Sequence, residues 1–203
     1  MKKIIFLIIL ILPIQSLADN IRNFQIEGIS IGDSALDYFN ENQLLDGEQG
    51  WHNYNYNEYS TSLVPGKNIY DWFLVSYRSD DDNFIIEALV GGIEKTNYSD
   101  KECNNKLDTI ALGMPELFKN TIQNKKKYEL TAEASRTYPF TGKSTVISLT
   151  FNFTDKGEII LECYNMDKEA NLKDTFITNI LNQKDSFRIN VRSLVFINYL
   201  KKI

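Results

Sequence analysis

The sequence predicts an α+β fold: an antiparallel β-sheet built from two hairpins plus additional strands, with helices packed on it. Three observations carry this. Segments 69–78 and 84–93 are both rich in β-branched and aromatic residues and flank the polar turn "SDDDN". Segments 144–153 and 158–164 repeat that arrangement around Thr154-Asp-Lys-Gly157. Between the hairpins, Ser99-Asp-Lys-Glu102 opens a run with helical spacing, Cys103, Leu107, Ile110, Met114, Leu117 and Phe118. Hairpins interleaved with helices favour an antiparallel sheet covered by helices.

The chain begins with a basic pair, Lys2-Lys3, and an apolar run from Ile4 to Ile14. Ser16-Leu17-Ala18 then offers small residues where a signal peptidase cuts. Residues 1–18 are therefore read as a secretory signal, and residues 19–203 as a single globular α+β domain. The apolar run is shorter than the roughly 20 residues a spanning helix needs. No later segment is apolar enough to span, so the mature chain is expected to be soluble, in the periplasm or secreted.

The elements follow in order. Phe24 to Ile31 contains a short strand, and Ser34 to Leu45 reads as a helix. Residues 46–68 carry Gly, Pro, Asn and Tyr without a sustained period and read as a long loop. The first hairpin ends near Gly91-Gly92, which marks a bulge or a close approach. The central helix runs from about Asp100 to Asn120, with a kink or break expected at Gly113 and Pro115. Lys125 to Lys127 read as a solvated linker. Tyr128 to Ser135 is a further candidate strand. In the second hairpin, Ile147, Leu149, Phe151 and Phe153 share one face, and Val146, Ser148, Thr150 and Asn152 the other. Across the turn, Ile159, Leu161 and Cys163 are opposite in phase to Ile160 and Glu162. Phe187 to Arg192 alternates again, and Ser193 caps a final helix, Leu194 to Lys201.

Charge and cysteine content narrow the partners. Without the two signal lysines, 20 basic residues stand against 27 acidic ones, a net charge of −7. An acidic domain repels phosphate backbones, so nucleic acid is excluded as a partner class. Cys103 and Cys163 are the only cysteines, and export carries them to an oxidising compartment. One disulfide between them is expected, joining the first turn of the central helix to the strand after Gly157. Without CxxC spacing and with one histidine, His52, they make a poor metal site.

"ISIGDSALDY", residues 29–38, places Gly-Asp-Ser after an apolar run, where GDS-type esterases keep their nucleophile. A serine hydroxyl needs a base to take its proton. The esterases supply it from an Asp-x-x-His near the C-terminus, whereas here no histidine follows His52. Ser34 is read as a helix cap, with Gly32 permitting the turn and Asp37 suiting a helix N-terminus. "GWHNYNYNEY", residues 50–59, is the most unusual stretch. Trp51, His52, Tyr54, Tyr56 and Tyr59 are candidate ligand-binding residues, since aromatic faces among amides stack on and hydrogen-bond small ligands. Aromatics folded back over a sheet edge are the plainer alternative. Asp80-Asp81-Asp82 lacks the glycine and glutamate of a calcium loop and reads as a hairpin tip. Neither a metal cluster nor a phosphate loop is present, and no cofactor is expected.

The chain resembles a family of small exported proteins of unknown function from AT-rich Gram-negative bacteria. The resemblance rests on "IEGISIGDSALDYF", "YSDKECNNKLDTI" and "ECYN". It implies a periplasmic address and a cysteine in each of the latter two segments, and it transfers no catalytic residue. The expectation is a non-enzymatic binding or interaction module, with an envelope protein or a small ligand as partner. The alternative is a carboxylate-dependent hydrolase of envelope glycans, for which paired acids suffice.

Overall fold

The computed structural model describes residues 21–48, 58–95, 99–117, 122–129, 145–153, 157–165 and 185–201. Residues 1–18, expected to be a secretory signal, lie outside them. A two-stranded hairpin, β1 (Gln25–Ile26) and β2 (Ile29–Ser30), precedes helix α1 (Glu41–Asp46). A three-stranded meander follows: β3 (Tyr59–Pro65), β4 (Trp72–Arg78) and β5 (Ile86–Lys95). Helix α2 (Asp100–Leu117) leads to a four-stranded meander: β6 (Ile122–Glu129), β7 (Thr145–Asn152), β8 (Glu158–Asn165) and β9 (Asp185–Arg192). Helix α3 (Leu194–Leu200) follows. The meanders join in one sheet of order β3-β4-β5-β9-β8-β7-β6, every pairing antiparallel. The α+β class predicted from sequence is the class observed.

One face of the sheet is the main core. Phe73 and Val75 of β4, Leu89 of β5, Ile189 and Val191 of β9, Leu161 of β8 and Leu149 of β7 are buried there with Ile26, Ile29, Leu44 and Leu107. The β1–β2 hairpin, α1 and α2 supply the covering layer. In α2 the inward stripe is Cys103, Leu107, Ile110 and Ala111, while Leu112 is 79% exposed. Ser99 starts this helix as a capping box: its Oγ accepts from Glu102 N at 3.2 Å, and Glu102 Oε2 accepts from Ser99 N at 3.0 Å. The helix continues through Gly113 and Pro115 without the expected break. The Cys103–Cys163 disulfide staples α2 to β8, Cα to Cα 5.7 Å, with both residues 1% exposed.

Three expectations are corrected. Ser34 to Leu45 is not one helix: a 3₁₀ turn, Ala35–Asp37, is followed by α1. Asn40 starts α1 with its own capping box, donating to Gln43 Oε1 at 3.1 Å and accepting from Gln43 N at 2.8 Å. The 46–68 loop contains a strand, β3. Its inward positions include Ser60 and Ser62, so the apolar alternation is broken. Ser62 Oγ is satisfied in the interior, donating to Leu44 O at 2.6 Å and meeting Tyr77 OH at 2.7 Å. Lys125 to Lys127 are not a linker but the middle of β6, at the sheet edge. Lysine on an edge strand opposes pairing with other chains. Tyr128 and Glu129 end β6, so of the 128–135 candidate strand only these two residues are described. Of the two readings of Gly91-Gly92, the close approach is the one observed, since a Cβ would lie 2.7 Å from Tyr70 at Gly91 and 2.1 Å from Trp72 at Gly92. A bulge occurs instead at Ser76/Tyr77, opposite Ala88 and Ile86, with Glu87 the extra residue.

Two carboxylates organise turns. Glu27 and Gly28 take φ of 51° and 84° at the tip of the β1–β2 hairpin. From there Glu27 accepts N–H bonds from Ile69, Tyr70 and Asn68 at 2.5, 3.1 and 3.3 Å. Burial pushes this carboxyl up, but the backbone donors outweigh it and hold it below its ordinary 4.5. Asp81 accepts from Ile85 N at 2.9 Å and Asn83 N at 3.0 Å, and those donors, Ile85 first, hold it below 3.8. They brace the turn in which Phe84 carries a φ of 51°.

Two predictions follow from these contacts. Replacing both cysteines by alanine removes a bridge across a sequence separation of 60 and lowers stability by about 4 kcal/mol in the chain-entropy account. Urea unfolding of oxidised wild type against the double variant measures it; equal midpoints would refute the staple. For pH, the folded chain holds Glu27 and Asp81 below their unfolded values, so the unfolded chain binds protons first. Their contribution is fully present above about pH 5 and is lost as pH falls through the carboxylate range. Wild type should lose more stability between about pH 6 and about pH 3 than Glu27→Gln/Asp81→Asn. A loss of equal size in both would show that these carboxylates do not set the acid limit.

Candidate functional site

Ser34 is placed as a cap. Its Oγ accepts from Leu36 N at 3.3 Å and donates to Asn83 O at 2.7 Å. The proton a nucleophile would surrender points at a carbonyl, which is not a base. The whole motif acts as a strap on the start of β5: Gly32 N donates to Ile86 O at 2.8 Å, Ile86 N to Asp33 O at 2.9 Å, and Ala35 N to Phe84 O at 3.0 Å. Asp33 also holds Ser30 N at 2.9 Å and Tyr38 OH at 2.6 Å. That hydrogen bond, with burial, pushes the Tyr38 phenol up to about 12.

Of the aromatic candidates, Trp51, His52, Tyr54 and Tyr56 lie outside the described residues. Tyr59 begins β3. Its ring meets Phe196 edge-on at 5.2 Å and Tyr199 at 4.7 Å, so it seats α3 on the second face of the sheet. Burial raises its phenol above the ordinary value. Ser193 caps α3, accepting from Phe196 N at 3.1 Å, and donates from its own N–H and Oγ to Glu87, the bulged residue of β5. Beside α3 lies a cavity of about 530 Å³ lined by Phe153, Glu158, Leu194, Ile197, Asn198 and Lys201, among others. Its carboxylate, Glu158, is already engaged by Arg192 at 3.2 Å.

The second face carries a denser constellation. Register places Trp72, Gly92, Arg188, Glu162 and Ser148 in one row across β4, β5, β9, β8 and β7. Side chains opposite one another in an antiparallel sheet share a face. Gly92 gives the row its shape. A Cβ there would lie 2.1 Å from Trp72 Cζ2, so the indole lies flat over the glycine and reaches Arg188. The Arg188 guanidinium sits 5.5 Å from the Trp72 ring centre and 4.0 Å from that of Tyr164. Two aromatic faces thus hold one cation. Arg188 Nε donates to Ser186 Oγ at 3.1 Å. Glu162, 9% exposed, accepts from Asn190 Nδ2 at 2.8 Å and Tyr164 OH at 3.2 Å, both on Oε2.

Comparison with known proteins finds no matching family model, no matching curated protein and no matching solved structure. The site is therefore read from its own chemistry. Among the described residues no group of three or more His, Cys, Asp or Glu is placed to hold a metal. Sequence reasoning put Glu162 on the polar phase of its strand but did not single out Trp72, Tyr164, Arg188 or Asn190. The available signal was the polar phase of "FRINVR", Arg188 and Asn190, beside that of "ILECYN", Glu162 and Tyr164.

The row depends on Gly92, and this is testable. Gly92→Ala should displace the indole, costing about 2 kcal/mol by overpacking. In a Trp51→Phe background, Trp72 emission should shift relative to the Gly92 parent. Unchanged emission and stability would show that the ring does not rest on the glycine.

Proposed function

We propose that the chain is an exported, non-enzymatic binding module of the periplasm. The observation that carries this is the Trp72–Arg188–Tyr164 stack. A guanidinium held between two rings is preorganised to receive an anionic ligand, because its side-chain entropy is already lost. The commitment of the Ser34 proton to Asn83 supports the non-enzymatic reading. The signal-like N-terminus and the resemblance to small exported proteins support the address, and the disulfide suits an oxidising compartment.

The test is retention without turnover. Purified oxidised protein equilibrated with a low-molecular-weight envelope extract should retain one compound at a stoichiometry near one, recovered chemically unchanged. Saturation at about 100 Kd would stabilise the fold by about 2.7 kcal/mol. Conversion of the compound in proportion to time would overturn the non-enzymatic reading. Failure to retain any compound would overturn the small-ligand reading.

A further inference from the structure

We infer that the second face binds a small zwitterion: a ligand carboxylate on the Arg188 Nη atoms and a ligand ammonium on Glu162 Oε1. The inference deepens the binding reading above and rests on it. Arg188 and Glu162 stand directly opposite on neighbouring strands, and no ion pair within 4.0 Å joins them. Opposite charges so placed ordinarily pair. Here each is turned to other partners. The two rings and Ser186 hold the guanidinium by its faces and its Nε, leaving both Nη atoms without a hydrogen-bond partner among the described residues. Asn190 and Tyr164 hold Glu162 by Oε2, leaving Oε1 without a hydrogen-bond partner among the described residues.

The result is a fork of two donors beside a carboxylate oxygen, with aromatic walls. An α-amino acid presents the complement: a planar carboxylate that matches a guanidinium fork, and an ammonium one carbon away. Binding lets the ligand complete the circuit that the two side chains leave open. A second observation points to the same place. Trp72 Nε1 is buried and has no hydrogen-bond partner among the described residues, a donor a ligand oxygen would satisfy. An anion alone would leave Glu162 repelling it across the row, and a cation alone would meet Arg188. Only a ligand carrying both charges is favoured at both positions.

The test uses full-length oxidised protein carrying Trp51→Phe, titrated with L-phenylalanine, N-acetyl-L-phenylalanine, L-phenylalaninamide and glycine. Trp72 emission and titration calorimetry report binding. L-Phenylalanine, glycine or both should bind, and masking either charge of phenylalanine should weaken its affinity about tenfold or more. Glu162→Gln should remove the preference for the free ammonium while keeping carboxylate binding. Arg188→Lys, which keeps the charge and loses the fork, should weaken every carboxylate ligand about tenfold. N-acetyl-L-phenylalanine binding as tightly as the zwitterion would overturn the inference. So would the absence of any signal from the zwitterions at millimolar concentration. If the envelope extract still yields a retained compound in that case, the binding reading stands and only the zwitterion assignment falls.

Discussion

The pairing of β5 with β9 is the constraint on which the rest depends. Each meander, β3–β5 and β6–β9, pairs strands that are consecutive in the chain, but neither alone makes a broad sheet. They meet along eight register pairs, from Ala88 opposite Arg192 to Lys95 opposite Asp185. That seam brings Leu89 and Gly91 of one meander beside Val191 and Ile189 of the other, joining the two halves of the core. It also creates the row on the second face. Trp72 belongs to the first meander, and Arg188, Glu162 and Tyr164 to the second. The indole reaches the guanidinium only across Gly92 on the seam.

The bulge at Glu87 couples the seam to α3. An extra residue in one strand raises local twist and re-aims a side chain. Here Glu87 meets Ser193, the cap of α3, immediately after β9 ends. The helix is thereby turned onto the second face, where Phe196 and Tyr199 meet Tyr59 from the far strand β3. Three elements distant in sequence are fixed at one end of the sheet by one irregularity. The acidic turn before β5 serves the same strand: Asp81 orders residues 83–85, and the Gly32-Asp33-Ser34 strap pairs with residues 84–86. A motif that resembles a nucleophile's setting is here a sheet fastening.

The parts of this fold legible in sequence are those where local pattern and tertiary burial agree. The β7–β8 hairpin reads directly because Leu149, Phe151, Ile159 and Leu161 face the core in strict alternation. The α2 cap reads directly because Ser99 and Glu102 need no distant partner. Legibility fails where a long-range partner replaces the expected residue type. Ser62 is fully buried as a serine because Leu44 O and Tyr77 OH receive it, so β3 looked like loop. β4 is buried on both faces from Trp72 to Tyr77, which hides which side chains face which layer. The row on the second face was illegible for the same reason. Its members come from five strands, and their juxtaposition is a property of register, which one strand's composition does not encode.

The disulfide bears on how that register is reached. β5 ends at Lys95 and β9 begins at Asp185, so the seam closes a loop of about 90 residues. Bonding Cys103 to Cys163 removes the intervening chain from that loop and leaves about 30 residues to close. Loop-closure entropy scales with the logarithm of length, so this threefold shortening lowers the cost of forming the seam by about 1 kcal/mol. The bridge also fixes β8 against α2, and β8 is the strand on which β9 must lay its own register. The covalent link therefore favours the one long-range pairing that local propensity cannot specify. It lies on the core face, whereas Trp72, Arg188 and Glu162 project from the other. The sheet can be held together through one face while the opposite face keeps a charge pair unjoined.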